Sequence, residues 1–243
     1  MGRDIQILTI SLLGPLVGSL IGILFRPRES ILFGLISFAG GTMLGISFLE
    51  MLPDSLVGCG VPGTVTGLCV GVLVMLLAGS WLEGVEHQSS RQHSRMETAS
   101  LMMVAAIFLH NLPEGIAMAA GGQVAGPQKA MLIAIAIATH DIPEGICTSA
   151  PYYYATGKRA RAFWQSASTA LPVLLGYYLG KSIFASLSGY TMGMILAAVA
   201  GMMIYVSCKE LIPTAQSGHR QKTSAAMLML GIVFVLALGA MQG

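Results

Sequence analysis

The chain has 243 residues, of which 54% are hydrophobic and only 10% are charged, and its mean hydropathy is +0.74. An average soluble domain carries about 25% charged residues, so this composition argues against a soluble globule and favours a membrane protein. The net charge is only +2, and the basic residues are scattered along the sequence. The sequence therefore gives no sign of the basic patch that nucleic-acid binding requires.

Charges, prolines and glycines divide the apolar sequence into eight segments, each long enough to cross a bilayer as a helix of about 20 residues. The predicted spans are Ile5–Phe25, Ile31–Leu52, Pro62–Leu82, Ala99–Ala120, Lys129–Ala150, Ala162–Leu187, Tyr190–Leu211 and Ser224–Met241. The first has no obvious small-residue cleavage site, so we expect a span rather than a signal peptide. The predicted fold is all-α, with one transmembrane domain over residues 1–243.

Basic residues between the spans predict the topology, because Lys and Arg accumulate in short cytoplasmic loops. They occupy alternate loops, namely Arg26 and Arg28, Arg91 and Arg95, Lys158, Arg159 and Arg161, and Arg220 and Lys222. An N-out and C-out topology follows. The longest connection, Glu83–Thr98, is predicted to be a polar cytoplasmic loop.

Glycines recur at small-x-x-x-small spacing in three of the spans. The pairs are Gly14 and Gly18, Gly41 and Gly45, and Gly67 and Gly71. This spacing lets helix backbones approach closely. We expect tight packing within one chain, and a homodimer is left open.

One motif occurs twice in successive spans. It is His110-Asn111-Leu112-Pro113-Glu114-Gly115 in span four and His140-Asp141-Ile142-Pro143-Glu144-Gly145 in span five. Ionisable groups inside a membrane cost several kcal/mol unless they are paired, hydrated or bound to an ion. On a helix, residues i and i+4 share a face, so each motif presents one imidazole and one carboxylate to the same point. We therefore predict one metal site, shared by His110, Glu114, His140 and Glu144.

The other residues of the motif extend this hypothesis. Asn111 and Asp141 are turned by about 100° from the histidines, so they could bind an adjacent ion or orient the histidines. Pro113 and Pro143 each remove a backbone donor and are expected to kink their helices. The alternative is a purely structural clamp, in which each histidine bonds the glutamate of the other motif.

Further candidate ligands lie in two other spans. Met43, Ser47 and Glu50 have spacings that place them on one helical stripe in span two, and Glu210 follows Lys209 in span seven. By spacing alone Met43 is no better a ligand than other methionines.

The stretches HNLPEGIA and HDIPEGI resemble the signature helices of the ZIP (Zrt/Irt-like) family of divalent-metal transporters, particularly its prokaryotic GufA-like and zinc-uptake members. The resemblance spans the whole chain and includes the Gly40–Gly45 stretch and Lys209–Pro213. It implies that the four motif ligands bind the transported ion, with Met43 as a soft ligand. It also implies a second metal position lined by Asn111, Asp141, Glu210 and the two bridging glutamates. Lys209 departs from the pattern, since many relatives carry an acid there.

Imidazole and carboxylate ligands suit Zn, Fe(II), Mn, Co and Cd, whereas Mg and Ca prefer all-oxygen sites. Together with the resemblance, this implies transport of such ions, zinc foremost, into the cytoplasm across the cell membrane, which is the inner membrane in a Gram-negative bacterium. No catalytic cofactor is expected. One alternative is an intramembrane zinc-dependent hydrolase, although the H-E-x-x-H motif is absent. Another is a metal-sensing scaffold with the same ligands.

Overall fold

The computed structural model describes residues 2–25, 29–89, 111–123, 126–184, 187–216 and 221–240. These ranges are helical and contain no strand, which confirms the all-α class. The helices are α1 Gly2–Leu24, α2 Glu29–Gly45, α3 Leu52–Ser89, α4 over residues 111–123, α5 Pro127–Thr156, α6 Arg159–Ala167, α7 Leu171–Phe184, α8 Gly189–Val206, α9 Ile212–Gln216 and α10 Gln221–Ala240. A 3-10 turn, Ser168–Ala170, joins α6 to α7.

Five helical stretches within the described ranges are long and apolar enough to cross a membrane. They are Arg3–Leu24, Phe33–Ser80, Pro127–Ala150, Gly189–Leu211 and Thr223–Ala240. The α3 helix continues to Ser89, beyond the predicted end of span three at Leu82. Glu83 ends the apolar run, but a single charged residue does not end a helix. The first residues of the predicted loop, up to Ser89, are therefore helical.

A sharp break divides the longest of these stretches. Gly60 has φ 67° and ψ 179°, which are not helical values. Essentially only glycine adopts this backbone conformation, because a Cβ would clash there. Pro62 follows two residues later, where a fixed φ and a missing N–H suit the first turn of a new helix. The helix that enters at α2 is therefore broken at Gly60, which lies between the segments predicted as spans two and three.

Two π-helical turns interrupt the helices at matching sequences. Ile46–Met51 joins α2 to α3, and Ser207–Leu211 joins α8 to α9. In each turn the serine hydroxyl donates to the carbonyl four residues earlier, at 2.9 Å. In each, the residue before a proline donates its N–H to the serine carbonyl. Because a proline ring clashes with the carbonyl four residues before it, the preceding turn widens.

The helices pack into two groups. The α5 group consists of α1, α4, α5, α6 and α7, and the α8 group consists of α2, α3, α8, α9 and α10. Within the α8 group, α3 runs along α8 and α2 along α10, and the two pairs meet through the π turns. The groups meet mainly along a seam between α2 and α5.

Glycines allow the close contacts inside each group. An added Cβ at Gly14 of α1 would lie 2.8 Å from the Ala138 Cα of α5. At Gly71 of α3 it would lie 2.7 Å from the Ala198 carbonyl carbon of α8, and Gly41 meets Leu228 of α10 in the same way. These distances are shorter than any real contact of a Cβ. The predicted packing of glycines within one chain is thus confirmed.

Candidate metal site

Glu114 of α4 and His140 of α5 are in direct contact. Glu114 Oε1 lies 2.9 Å from His140 Nε2, and both side chains are fully buried. His140 Nδ1 lies 3.0 Å from the Ala136 carbonyl. Because a carbonyl can only accept, Nδ1 carries a proton and donates it there. Nε2 therefore faces Glu114, and the two groups share one further proton, held on the imidazole or on the carboxyl group.

Asp141 completes a cluster with these two residues. Its Oδ1 lies 3.4 Å from His140 Nε2, and one donor atom from each of Glu114, His140 and Asp141 lies within 4.8 Å of the others. Both Asp141 oxygens and Glu114 Oε2 are buried and accept no hydrogen bond from any residue that the structure describes. A buried polar atom without a partner is unfavourable by about 1–3 kcal/mol, and more when it is charged. A bound cation would satisfy these oxygens.

Asn111 adds a further oxygen near the start of the described part of α4. Its Nδ2 donates to the Thr169 carbonyl at 2.7 Å, in the 3-10 turn between α6 and α7. This bond fixes the amide orientation. Asn111 Oδ1 is buried, and among the described residues it has no hydrogen-bond partner. The amide oxygen is thus available to a cation.

Two glycines set the positions of the motif helices. An added Cβ at Gly115 would lie 2.7 Å from the Tyr177 nitrogen of α7, and at Gly145 it would lie 2.7 Å from the Pro15 carbonyl oxygen of α1. Each glycine directly follows a motif glutamate, so close packing fixes the backbone beside the ligand. Both glycines thus leave room for the neighbouring helices. The α5 helix continues through Pro143 without a break.

The remaining motif ligands are only partly described. Glu144 is buried one turn beyond His140. Its carboxylate does not belong to the three-residue cluster found within the described ranges. His110 lies outside those ranges, so its contribution stays a prediction. The contact of His140 with Glu114 is the one that a structural clamp would also make.

The candidates from the other spans have different surroundings. Met43 is fully buried, in the apolar core that also contains Ala136 and Ile137 of α5. Glu210 lies in the second π turn, is partly exposed, and is not among the three clustered donors of the described residues. The Lys209 ammonium lies over the Tyr205 ring, 5.6 Å from its centroid.

A family model described as ZIP Zinc transporter matches residues 79–239 of the chain. The chain belongs to the ZIP zinc transporter family. It is similar to the zinc transporter ZupT of Chlorobium chlorochromatii, with 33% identity over 89% of each chain. It is also similar to the ZupT proteins of Chlorobaculum parvum, at 34% identity over 82% of each chain, and of Stenotrophomonas maltophilia, at 35% over 84% of this chain and 83% of the relative. The resemblance inferred from the two motifs is therefore confirmed.

For this ZIP family chain, sequence reasoning missed that Glu50 and Glu210 occupy equivalent positions. Both belong to the pattern Ser-x-x-Glu-x-x-Pro, at residues 47–53 and 207–213. A comparison of the two halves of the sequence could have found it. The α-helical spacing assumed for Met43, Ser47 and Glu50 is not kept, because Ser47 and Glu50 lie in the π turn.

Proposed function

We propose that this protein transports divalent transition-metal ions, zinc foremost, across the membrane, and that Glu114, His140 and Asp141 bind the ion on its way. The observation that carries this proposal is the buried cluster of one imidazole and two carboxylates, several of whose oxygens have no hydrogen bond from a described residue. Membership of the ZIP zinc transporter family, and similarity to proteins named zinc transporters, support the same function.

The proton shared by His140 and Glu114 supports a mechanism in which the metal ion and this proton replace each other at the site. A metal ion needs the neutral imidazole and the ionised carboxylate, so binding displaces this proton. Since the Nδ1 proton of His140 is held by the Ala136 carbonyl, Nε2 supplies the lone pair. Protonation of the pair on the other side of the membrane would then lower the affinity and release the ion.

The full ligand set that we propose is larger than the cluster. His110, Glu144 and Met43 would join His140 and Glu114 around the transported ion. Asn111, Asp141 and Glu210 would line a second metal position next to it, bridged by the glutamates. The unpartnered oxygens of Asn111 and Asp141 support this second position within the described residues.

We further propose eight spans with both termini outside, in the cell membrane. The break at Gly60, which divides a 48-residue apolar stretch, supports a pair of spans there. Uptake would occur when the α5 group rocks or slides against the α8 group, as expected for a carrier that uses a metal or proton gradient. Iron, manganese, cobalt and cadmium are further expected substrates, and a homodimer stays a prediction.

An enzyme is not supported, because the members of the family are transporters. The hydrolase alternative needs a zinc ion that keeps an open position for water and a separate general base. In the described residues, all three clustered groups would be used as ligands. We therefore set the hydrolase aside.

Metal flux into liposomes containing the purified protein tests the proposal. We expect zinc uptake by the wild-type protein, and we expect Glu144→Ala and His110→Ala each to lose most of it while still inserting in the membrane. Asp4→Asn is the control, because Asp4 pairs with Lys181 in a different part of the α5 group. Absence of uptake of Zn, Cd, Fe and Mn at every pH would refute transport. Zinc binding without flux would favour the sensing scaffold.

A further inference from the structure

Lys129, near the start of α5, crosses the seam between the two helix groups. Its ammonium forms an ion pair with Glu50, in the π turn after α2, and lies 3.3 Å from Asp54 Oδ2, near the start of α3. The side chains of Lys129 and Glu50 are only 18% and 10% exposed. Because water and salt screen a pair at such a position less than a surface pair, it resists separation more strongly.

The space around this ion pair depends on small residues from both groups. An added Cβ at Gly239 of α10 would lie 2.9 Å from Glu50 Oε1, and one at Gly121 of α4 would lie 3.4 Å from Lys129 Cγ. Leu132, about one turn further along α5, has its Cδ1 3.9 Å from the same Gly239 position and is 2% exposed. Leu132 is therefore sealed from water directly beside the ion pair.

A second ion pair provides a contrast, because both of its partners belong to the α5 group. Lys181 Nζ of α7 lies 2.9 Å from Asp4 Oδ2 of α1, and the Tyr177 hydroxyl donates to Asp4 Oδ1 at 2.7 Å. If the two groups move as bodies, this second pair stays intact. The pairs made by Lys129 must break, because their partners lie on opposite sides of the seam. In the proposed topology both sets of charges lie on the outer face.

We propose that Lys129, Glu50 and Asp54 form an outer latch that holds the outer side of the seam closed. The latch rests on the proposed function, because a carrier must expose its site to the two sides in turn. Opening requires the ammonium to leave both carboxylates. The latch therefore sets the fraction of time for which the outer side is open, and an exchanged pair of opposite charges should replace it.

Cysteine labelling measures this opening directly. The reporter is Leu132→Cys, and the readout is its rate of reaction with a membrane-impermeant maleimide from outside, after subtracting the labelling of the protein without the added cysteine. We expect Lys129→Met and Glu50→Gln each to raise the rate by about tenfold, equivalent to about 1.4 kcal/mol in the opening equilibrium. Because Asp54 also faces Lys129, the charge exchange is made in an Asp54→Asn background, where Glu50→Lys combined with Lys129→Glu should return the rate to within about twofold of Asp54→Asn alone.

Lys181→Met is the matched control, since it breaks an ion pair inside one group and should leave the labelling rate unchanged. The latch is overturned if Lys129→Met labels no faster than this control, or if the charge exchange labels as fast as Lys129→Met in the same Asp54→Asn background. It is also overturned if Lys129→Met changes zinc affinity in detergent without changing the labelling rate, because Lys129 would then act on the metal site. Failure of the proposed function is distinct, since it would appear as absent zinc flux in the parent protein.

Discussion

Replacing Glu114 with glutamine removes one carboxylate from the cluster with little change in shape. A glutamine amide can donate to Nε2 of neutral His140, whose Nδ1 proton is held by the Ala136 carbonyl. The contact that is 2.9 Å long in the parent can therefore be kept. Since one hydrogen bond replaces another, we expect stability to change by about 1 kcal/mol or less. The negative charge and a ligand oxygen are lost.

The expected loss of zinc-binding free energy is larger than this change in stability. Removing a group that only orients a metal ligand typically weakens binding by about 10–100-fold. Loss of a direct ligand should therefore cost about 100-fold or more, which is about 2.7 kcal/mol. Competition with a chromophoric chelator in detergent measures the affinity, and thermal unfolding checks the fold. Asp4→Asn serves as the control. A zinc affinity of Glu114→Gln within twofold of the parent would refute the assignment of this carboxylate.

Three further predictions concern packing, backbone and protons. Gly145→Ala should destabilise the protein by about 1–3 kcal/mol, because its Cβ would lie 2.7 Å from the Pro15 carbonyl oxygen. Gly189→Ala is the control and should not destabilise it, because nothing lies within 4 Å of an added Cβ there. Equal melting temperatures of the two variants would contradict this prediction. Gly60→Ala should cost about 1–3 kcal/mol through its positive φ, and a variant as stable as the parent in thermal unfolding would show that the break relaxes. Zinc binding should release at least one proton, measured by calorimetry in buffers of different ionisation enthalpy; buffer-independent heats would exclude the shared proton of His140 and Glu114.

The sequence predicted the helical class, the contact between the two motif helices and the packing role of several glycines. These features follow from local rules: apolar length, i and i+4 spacing, and the absence of a Cβ. Glu114 and His140 could be expected to meet, because they come from two copies of one motif and each lies on the ligand-bearing face of its helix. Gly115 and Gly145 allow close packing beside the ligands because they have no Cβ.

The composition of the cluster could not be predicted in the same way. Asp141, rather than Glu144, completes the described group of three donors, and this depends on the rotation of α5 relative to α4. That rotation depends on tertiary contacts, such as those of Gly145 with α1 and of Gly115 with α7, which local sequence rules do not specify. The partner of Glu50 was missed for the same reason, since Lys129 lies in another helix far along the chain.

Anomalous scattering at the zinc edge, from crystals of the protein grown with zinc, tests the central claim most directly. We predict a peak at bonding distance, about 2.0–2.2 Å, from His140 Nε2 and from a Glu114 oxygen. The peak should disappear from this position in Glu114→Gln. A zinc peak elsewhere, with His140 and Glu114 still in direct contact, would contradict transport through this cluster and support the structural clamp.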